Sequence, residues 1–183
     1  TGIQELRLTT RDISDYDVLM QHRLKILKQH GLKLADIQAV IATMDPLDGA
    51  LEFLDWLRSV TQILVVSDTF VQFAGPLMQK LGFPTLLCNS LAVAADGTIE
   101  TYVMRQKDGK KSVAHAMQSL NYTVIGVGDS YNDIAMLQAA DHGILYRPPE
   151  NVRRQYPAFP VASGFDELKG MIQSIIGGDG GRR

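Results

Sequence analysis

The 183-residue chain has one cysteine, one tryptophan and no excess of charge of either sign. Cys88 has no second cysteine to pair with, which excludes an internal disulfide, and its setting in TLLCNSL reads as a small buried hydrophobe. Eighteen Lys and Arg against 20 Asp and Glu leave a formal charge of -2, which argues against a surface built for nucleic acid. The apolar runs fall far short of the ~20 residues of a membrane span, and the start lacks the charged-then-apolar pattern of a secretory signal. Cytosol is the expected location, with neither nucleic acid nor membrane as a partner. The four histidines, His22, His30, His115 and His142, are not spaced as zinc ligands. The first residue is Thr1 rather than Met, and TGIQEL reads as the end of an earlier segment.

What is present is ordinary for a folded domain: 45% hydrophobic and 21% charged residues, enough to bury a core. Tyr16, Leu19, Met20, Leu24 and Leu27 recur with a helical period and predict a helix from Asp15 to Gln29. Asp36 is the expected cap of a second helix carrying Ile37, Val40, Ile41 and Met44, and the two helices should form a hairpin. A third helix is expected from Asp45-Pro46, with Leu47, Ala50, Leu51, Leu54 and Leu57 as its buried stripe.

From Gln62 the pattern changes to short continuous apolar runs: ILVVS (63–67), TLLC (85–88), TVIGVG (123–128) and GILY (143–146). Such runs suit strands covered on both faces of a parallel sheet, and helical segments at Phe70 to Leu81, Ser112 to Leu120 and Asp133 to Ala140 separate most of them. Strand alternating with helix predicts a doubly wound α/β fold. Asp96-Gly97 between two β-rich stretches predicts a hairpin. A closing helix, Phe165 to Ile176, precedes the Gly-rich GGDGGRR, expected to be a flexible tail.

GVGDSYND (126–133) ends a strand and opens a helix with two aspartates and an asparagine in one turn. Ligands of open parallel sheets bind beyond the carboxyl ends of the strands, and carboxylates gathered there suit a hard cation such as Mg2+. Asp129, Asn132 and Asp133 can face one point, although an aspartate at a helix start is also a simple cap. Ser67 stands at the end of a neighbouring strand and could hold phosphate oxygens, and Lys110 or Lys111 could neutralise a phosphoryl group. Each lysine alone reads equally as a solvated charge. Arg23 points the same way as the apolar stripe of its helix, where it either seeks an anion or snorkels from the rim.

The order of hhhhS at Ser67, Lys110 and GDSYND at 128–133 resembles the haloacid dehalogenase superfamily of aspartate-nucleophile phosphatases. Within it the chain is most similar to the phosphoserine phosphatases, in particular the bacterial bifunctional phosphoserine phosphatase/homoserine phosphotransferase type. TTRDISDYDVLMQHRLKILKQHGLKL, SDTF, LGFPTLLCN and RQKD carry that closer likeness, and Asp68 and Thr69 stand where ordinary phosphoserine phosphatases tend to have two glycines. The resemblance implies a doubly wound parallel sheet lacking its first strand, with a helical cap over 10–45, the α/β core over 46–176 and a tail over 177–183. It implies that Ser67 bonds the phosphate and Lys110 stabilises its charge. Asp129 and Asp133 then serve Mg2+, while Tyr16, Arg23, Asp68, Thr69 and Asn132 surround a phospho-amino acid. A homodimer is compatible with it.

The family's chemistry starts from an Asp-x-Asp motif on a first strand, and no such strand precedes Arg11. Asp15 and Asp17 have the spacing, but no apolar strand leads into them. The expectation is therefore a chain truncated before its first residue: inactive alone, and in its intact form a phosphatase or phosphotransferase passing through an aspartyl-phosphate. The rival reading is a non-catalytic phospho-amino-acid-binding module of the same fold. A dinucleotide-binding domain is disfavoured, because GVGDSYND lacks the third glycine of that fingerprint.

Overall fold

A computed structural model of the chain describes residues 3–8, 12–13 and 16–178. After a 3-10 turn at Gln4–Arg7 come α1 (Tyr16–Gln29), α2 (Leu34–Ala42), α3 (Ala50–Val60), β1 (Leu64–Phe70), α4 (Val71–Lys80), β2 (Thr85–Val93) and β3 (Ile99–Val103). The second half contains α5 (Gly109–Ser119), β4 (Ile125–Gly128), α6 (Ile134–Ala139), β5 (His142–Tyr146), α7 (Glu150–Gln155), β6 (Val161–Ala162) and α8 (Phe165–Gly178). The chain divides into two compact units, one of the residues up to Leu47 with Ile63–Arg105, the other of Asp48–Gln62 with the residues from Gln106 onward.

In the first unit β1 pairs parallel with β2, and β2 pairs antiparallel with β3. The β2–β3 turn lies at Asp96-Gly97 as the sequence predicts, with Gly97 at φ 86 and the Thr98 N–H donating to Asp96 Oδ1 at 3.0 Å. Met20 and Leu27 of α1 share a core with Phe70, Leu91 and Ile99. α2 lies against α4, where Gln38 Nε2 donates to the Gln72 carbonyl at 2.8 Å.

In the second unit β4, β5 and β6 form a parallel sheet in that order. Ile144, Ala162, Leu168 and Ile172 make one core with Phe53, Trp56 and Leu57 of α3 against it, and Ile134, Leu137, Leu145 and Val152 make another. Gly143 of β5 is required by close packing, since a Cβ there would lie 2.6 Å from the Leu137 carbonyl oxygen. Strands alternating with helices make the chain an α/β protein.

Several local expectations shift. α2 begins at Leu34 with Lys33 as its cap residue, and Asp36 sits in the first turn, accepting the Lys33 backbone N–H at 2.8 Å. α3 begins at Ala50 after Gly49 at φ 80, not at Pro46, because Asp45 and the Met44 carbonyl are engaged by Lys80 Nζ. The helix thus starts four residues after Pro46, and Phe53 and Trp56 join Leu57 of the expected stripe on its inward face, with Phe53 stacked on Phe165, whereas Leu47 and Leu51 are exposed. β1 continues through Phe70, and Gly177 and Gly178 continue α8. The short α7 and β6 carry too few residues for a periodic signal. Asp15 and the end of the tail, 179–183, lie outside the described residues.

Candidate functional site

In the second unit the chain leaves β4 at Gly128 and turns through 129–133 before α6. Ser130, extended at φ -137, caps the turn, and the Asp133 side chain reaches back to it. Asp133 Oδ2 accepts the backbone N–H of Asp129 at 3.0 Å and of Ser130 at 3.1 Å. Its other oxygen, Oδ1, accepts Lys110 Nζ at 2.7 Å, with both side chains largely buried (13% exposed for Lys110 and 8% for Asp133). Burial alone would raise the Asp133 pKa, but the hydrogen bond and charge of Lys110 with the two backbone donors hold it below the ordinary value.

Two sequence choices allow this. A Cβ on Gly128 would lie 2.4 Å from Asp133 Cβ, so only glycine admits the carboxylate here. Lys110 stands in the first turn of α5, where a cation opposes the helix dipole, and it is the pairing with Asp133 that compensates. Of the two lysines left open by the sequence, Lys110 meets Asp133 while its neighbour Lys111 is exposed. Asp129 and Asn132 are exposed on the same turn, each with an oxygen within reach of the Ser130 hydroxyl, at 3.2 Å and 2.5 Å. An oxygen-only donor set of this kind fits a hard cation.

In the first unit, Ser67, Asp68 and Thr69 occupy an interruption of the β1–β2 register. Val66 pairs with Leu87 and Phe70 with Asn89, so three residues of β1 stand opposite Cys88 alone. Ser67 therefore lies inside β1 rather than at its end, at a bulge that frees backbone groups from the ladder. Its hydroxyl oxygen accepts the Thr69 N–H at 3.2 Å. The Asp68 carbonyl accepts from Tyr16 Oη at 3.3 Å and from Asn89 Nδ2 at 3.4 Å. Burial, then the Asp68 carboxylate, raises the Tyr16 pKa.

Arg23 borders an apolar cavity of about 190 Å3 with Met20, Ile37, Phe70 and Leu91. Its Nη2 donates to the Leu8 carbonyl at 2.8 Å, and its Nε is buried without a partner among the described residues. Asn89 and Arg105 are not singled out by any pattern in the sequence. Asn89 is a polar residue 5% exposed within the apolar β2, a signal that only burial reveals.

A family profile of haloacid dehalogenase-like hydrolases matches residues 4–141, more than half of the chain. The chain belongs to this family. Among curated relatives, a phosphoserine phosphatase of Pseudomonas syringae pv. tomato is 57% identical over 169 residues, covering 92% of this chain and 71% of its own length. The phosphoserine phosphatase ThrH of Pseudomonas aeruginosa is 55% identical over 169 residues, covering 92% of this chain and 82% of its own. These relatives place the chain among the phosphoserine phosphatases of the haloacid dehalogenase-like family. Among solved structures, a phosphoserine phosphatase from T. onnurineus superposes with a TM-score of 0.63 at 20% identity, over 94% of this chain and 88% of that one. A phosphoserine phosphohydrolase-like protein from Francisella tularensis gives 0.65 at 20% identity, over 84% and 76%. At these identities the structures speak for the shared fold.

Proposed function

We propose that the protein is a Mg2+-dependent, cytosolic phosphatase of phosphoserine that can also pass the phosphoryl group to homoserine, by way of an aspartyl-phosphate. The observation that carries this reading is Lys110 held by the buried Asp133 on the turn that bears Asp129 and Asn132. The names of the two Pseudomonas relatives supply the substrate.

In this reading Ser67, with the backbone freed at the β1 bulge, is a donor to phosphate oxygens. Lys110 is the cation for phosphoryl charge. Asp129 holds the metal, with Asp133 ordering the turn behind it and Asn132 bonding the phosphate or substrate. When bound, Mg2+ supplies charge neutralisation at the phosphoryl oxygens. Arg23 pairs with the substrate carboxylate, and Tyr16, Asp68 and Thr69 shape the space for the amino-acid part; residues 10–45 act as the selecting cap. These residues bind, orient and neutralise, and none of them is assigned the attack on phosphorus.

The test is phosphate release from phosphoserine by the native full-length protein with Mg2+, with 31P NMR detection of phosphohomoserine when homoserine is added. Turnover is expected on phosphoserine, with transfer to homoserine, and Lys110→Ala should lower it at least a hundredfold. Absence of phosphoserine turnover, or a fully active Lys110→Ala, would overturn the assignment.

A further inference from the structure

Asn89 belongs to none of the roles above, yet it is one of two buried polar or charged residues among those described. Its amide bridges two backbone groups. Oδ1 accepts the Arg105 N–H at 3.0 Å, and Nδ2 donates to the Asp68 carbonyl at 3.4 Å. The orientation of the amide follows from these partners, because a flipped amide would set a donor against an N–H and an acceptor against a carbonyl. The Asp68 carbonyl also receives Tyr16 Oη, so two donors occupy its two lone pairs. Arg105 closes the arrangement, since its own Nε donates to the carbonyl of Cys88, the residue before Asn89.

The position of this bridge matters. Asp68 is the central residue of the bulge Ser67–Thr69, where the β1–β2 ladder supplies no regular pairing between Val66 and Phe70. A bulge with its carbonyls unheld has several backbone conformations open to it, and each would aim the Ser67 hydroxyl and the Thr69 N–H differently. Asn89 and Tyr16 restrict that freedom from opposite partners: one from the adjacent strand, the other from α1. A leucine at 89 would match the size but leave both the Arg105 N–H and one lone pair of the Asp68 carbonyl without this partner.

We propose that Asn89 is a positioning residue that, together with Tyr16, clamps the Asp68 carbonyl and so fixes the phosphate-facing geometry of Ser67. The inference rests on the phosphatase reading for its functional meaning, whereas the clamp is a property of the fold. Asn89 acts through the bulge and does not touch substrate.

Asn89→Asp in the native full-length protein separates this from a merely structural role. The carboxylate can still accept the Arg105 N–H but cannot donate to Asp68, whereas its protonated form can. At pH 8 hydrogen-exchange protection of the Thr69 amide, which is bonded to Ser67, should fall at least tenfold. KM for phosphoserine should rise at least fivefold with kcat within twofold, and both differences from wild type should narrow as the pH falls to 5.5. Tyr16→Phe, which removes the other donor without disturbing β2, should reduce the same Thr69 protection. A variant with wild-type Thr69 protection, or with losses that ignore pH and spread evenly over β1 and β2, would overturn the clamp. A wild-type protein inert on phosphoserine would instead overturn the assigned function, and the exchange data would still decide the clamp.

Discussion

Lys110 Nζ lies 2.7 Å from Asp133 Oδ1, and both side chains are withdrawn from water. Removing one partner of a buried pair strands the other, so Lys110→Met should destabilise the fold by about 3 kcal/mol. In a double-mutant cycle, adding Asp133→Asn to Lys110→Met should cost less than the sum of the single changes, as read by urea unfolding. Additive losses would show that the two residues do not act as a pair.

Gly128→Ala places a methyl group 2.4 Å from Asp133 Cβ, in space already filled. A loss of about 1–3 kcal/mol is expected, seen as a lower urea midpoint with an unchanged slope. Gly170→Ala, where a Cβ meets open space, is the control and should be neutral or mildly stabilising.

Arg23 is the candidate for selecting the amino-acid end of the substrate, with Nε buried and without a partner among the described residues. Arg23→Ala should raise KM for phosphoserine roughly 10- to 100-fold through loss of a charge-assisted pair worth about 1.5–3 kcal/mol. Hydrolysis of p-nitrophenyl phosphate, which has no carboxylate, should hardly change. Equal losses on both substrates would remove Arg23 from substrate recognition.

Asp96 titrates at about 2, below the usual 3.8, because the Thr98 backbone N–H, Lys33 and the Thr98 hydroxyl all donate to it. A depressed carboxyl pKa contributes stability that is present above the unfolded value and lost as pH falls through the folded one. The β2–β3 turn should therefore lose stability between about pH 4 and pH 2. Asp96→Asn should flatten that part of the thermal stability profile, and an unchanged profile would place the acid sensitivity elsewhere.

How far the sequence spoke for the structure depended on whether the signal was local. The apolar run ending at Gly128 and the polar turn after it are contiguous, and β4, the turn and α6 follow them closely. Lys110 and Asp133 can be nominated separately, but their meeting depends on α5 packing against α6, which no spacing records. Apolar periodicity marks a strand without marking its register, so the bulge at 67–69 leaves no signal and Ser67 reads as the end of a strand that continues to Phe70. Asn89 gives no local signal either, because the groups its amide holds, the Asp68 carbonyl and the Arg105 N–H, are distant in sequence. In α3, Leu-rich spacing named Leu47 and Leu51, whereas the stacking of Phe53 on Phe165, an element more than a hundred residues away, decided the buried face.

The most direct test is Mg2+ titration of phosphoserine turnover in the native full-length protein and its Asp129→Asn variant. The wild type should depend on Mg2+, and the variant should need at least tenfold more Mg2+ while turning over at least tenfold more slowly. Identical Mg2+ dependence in the two proteins would contradict the assignment of the 129–133 turn as the metal-bearing part of a phosphatase site.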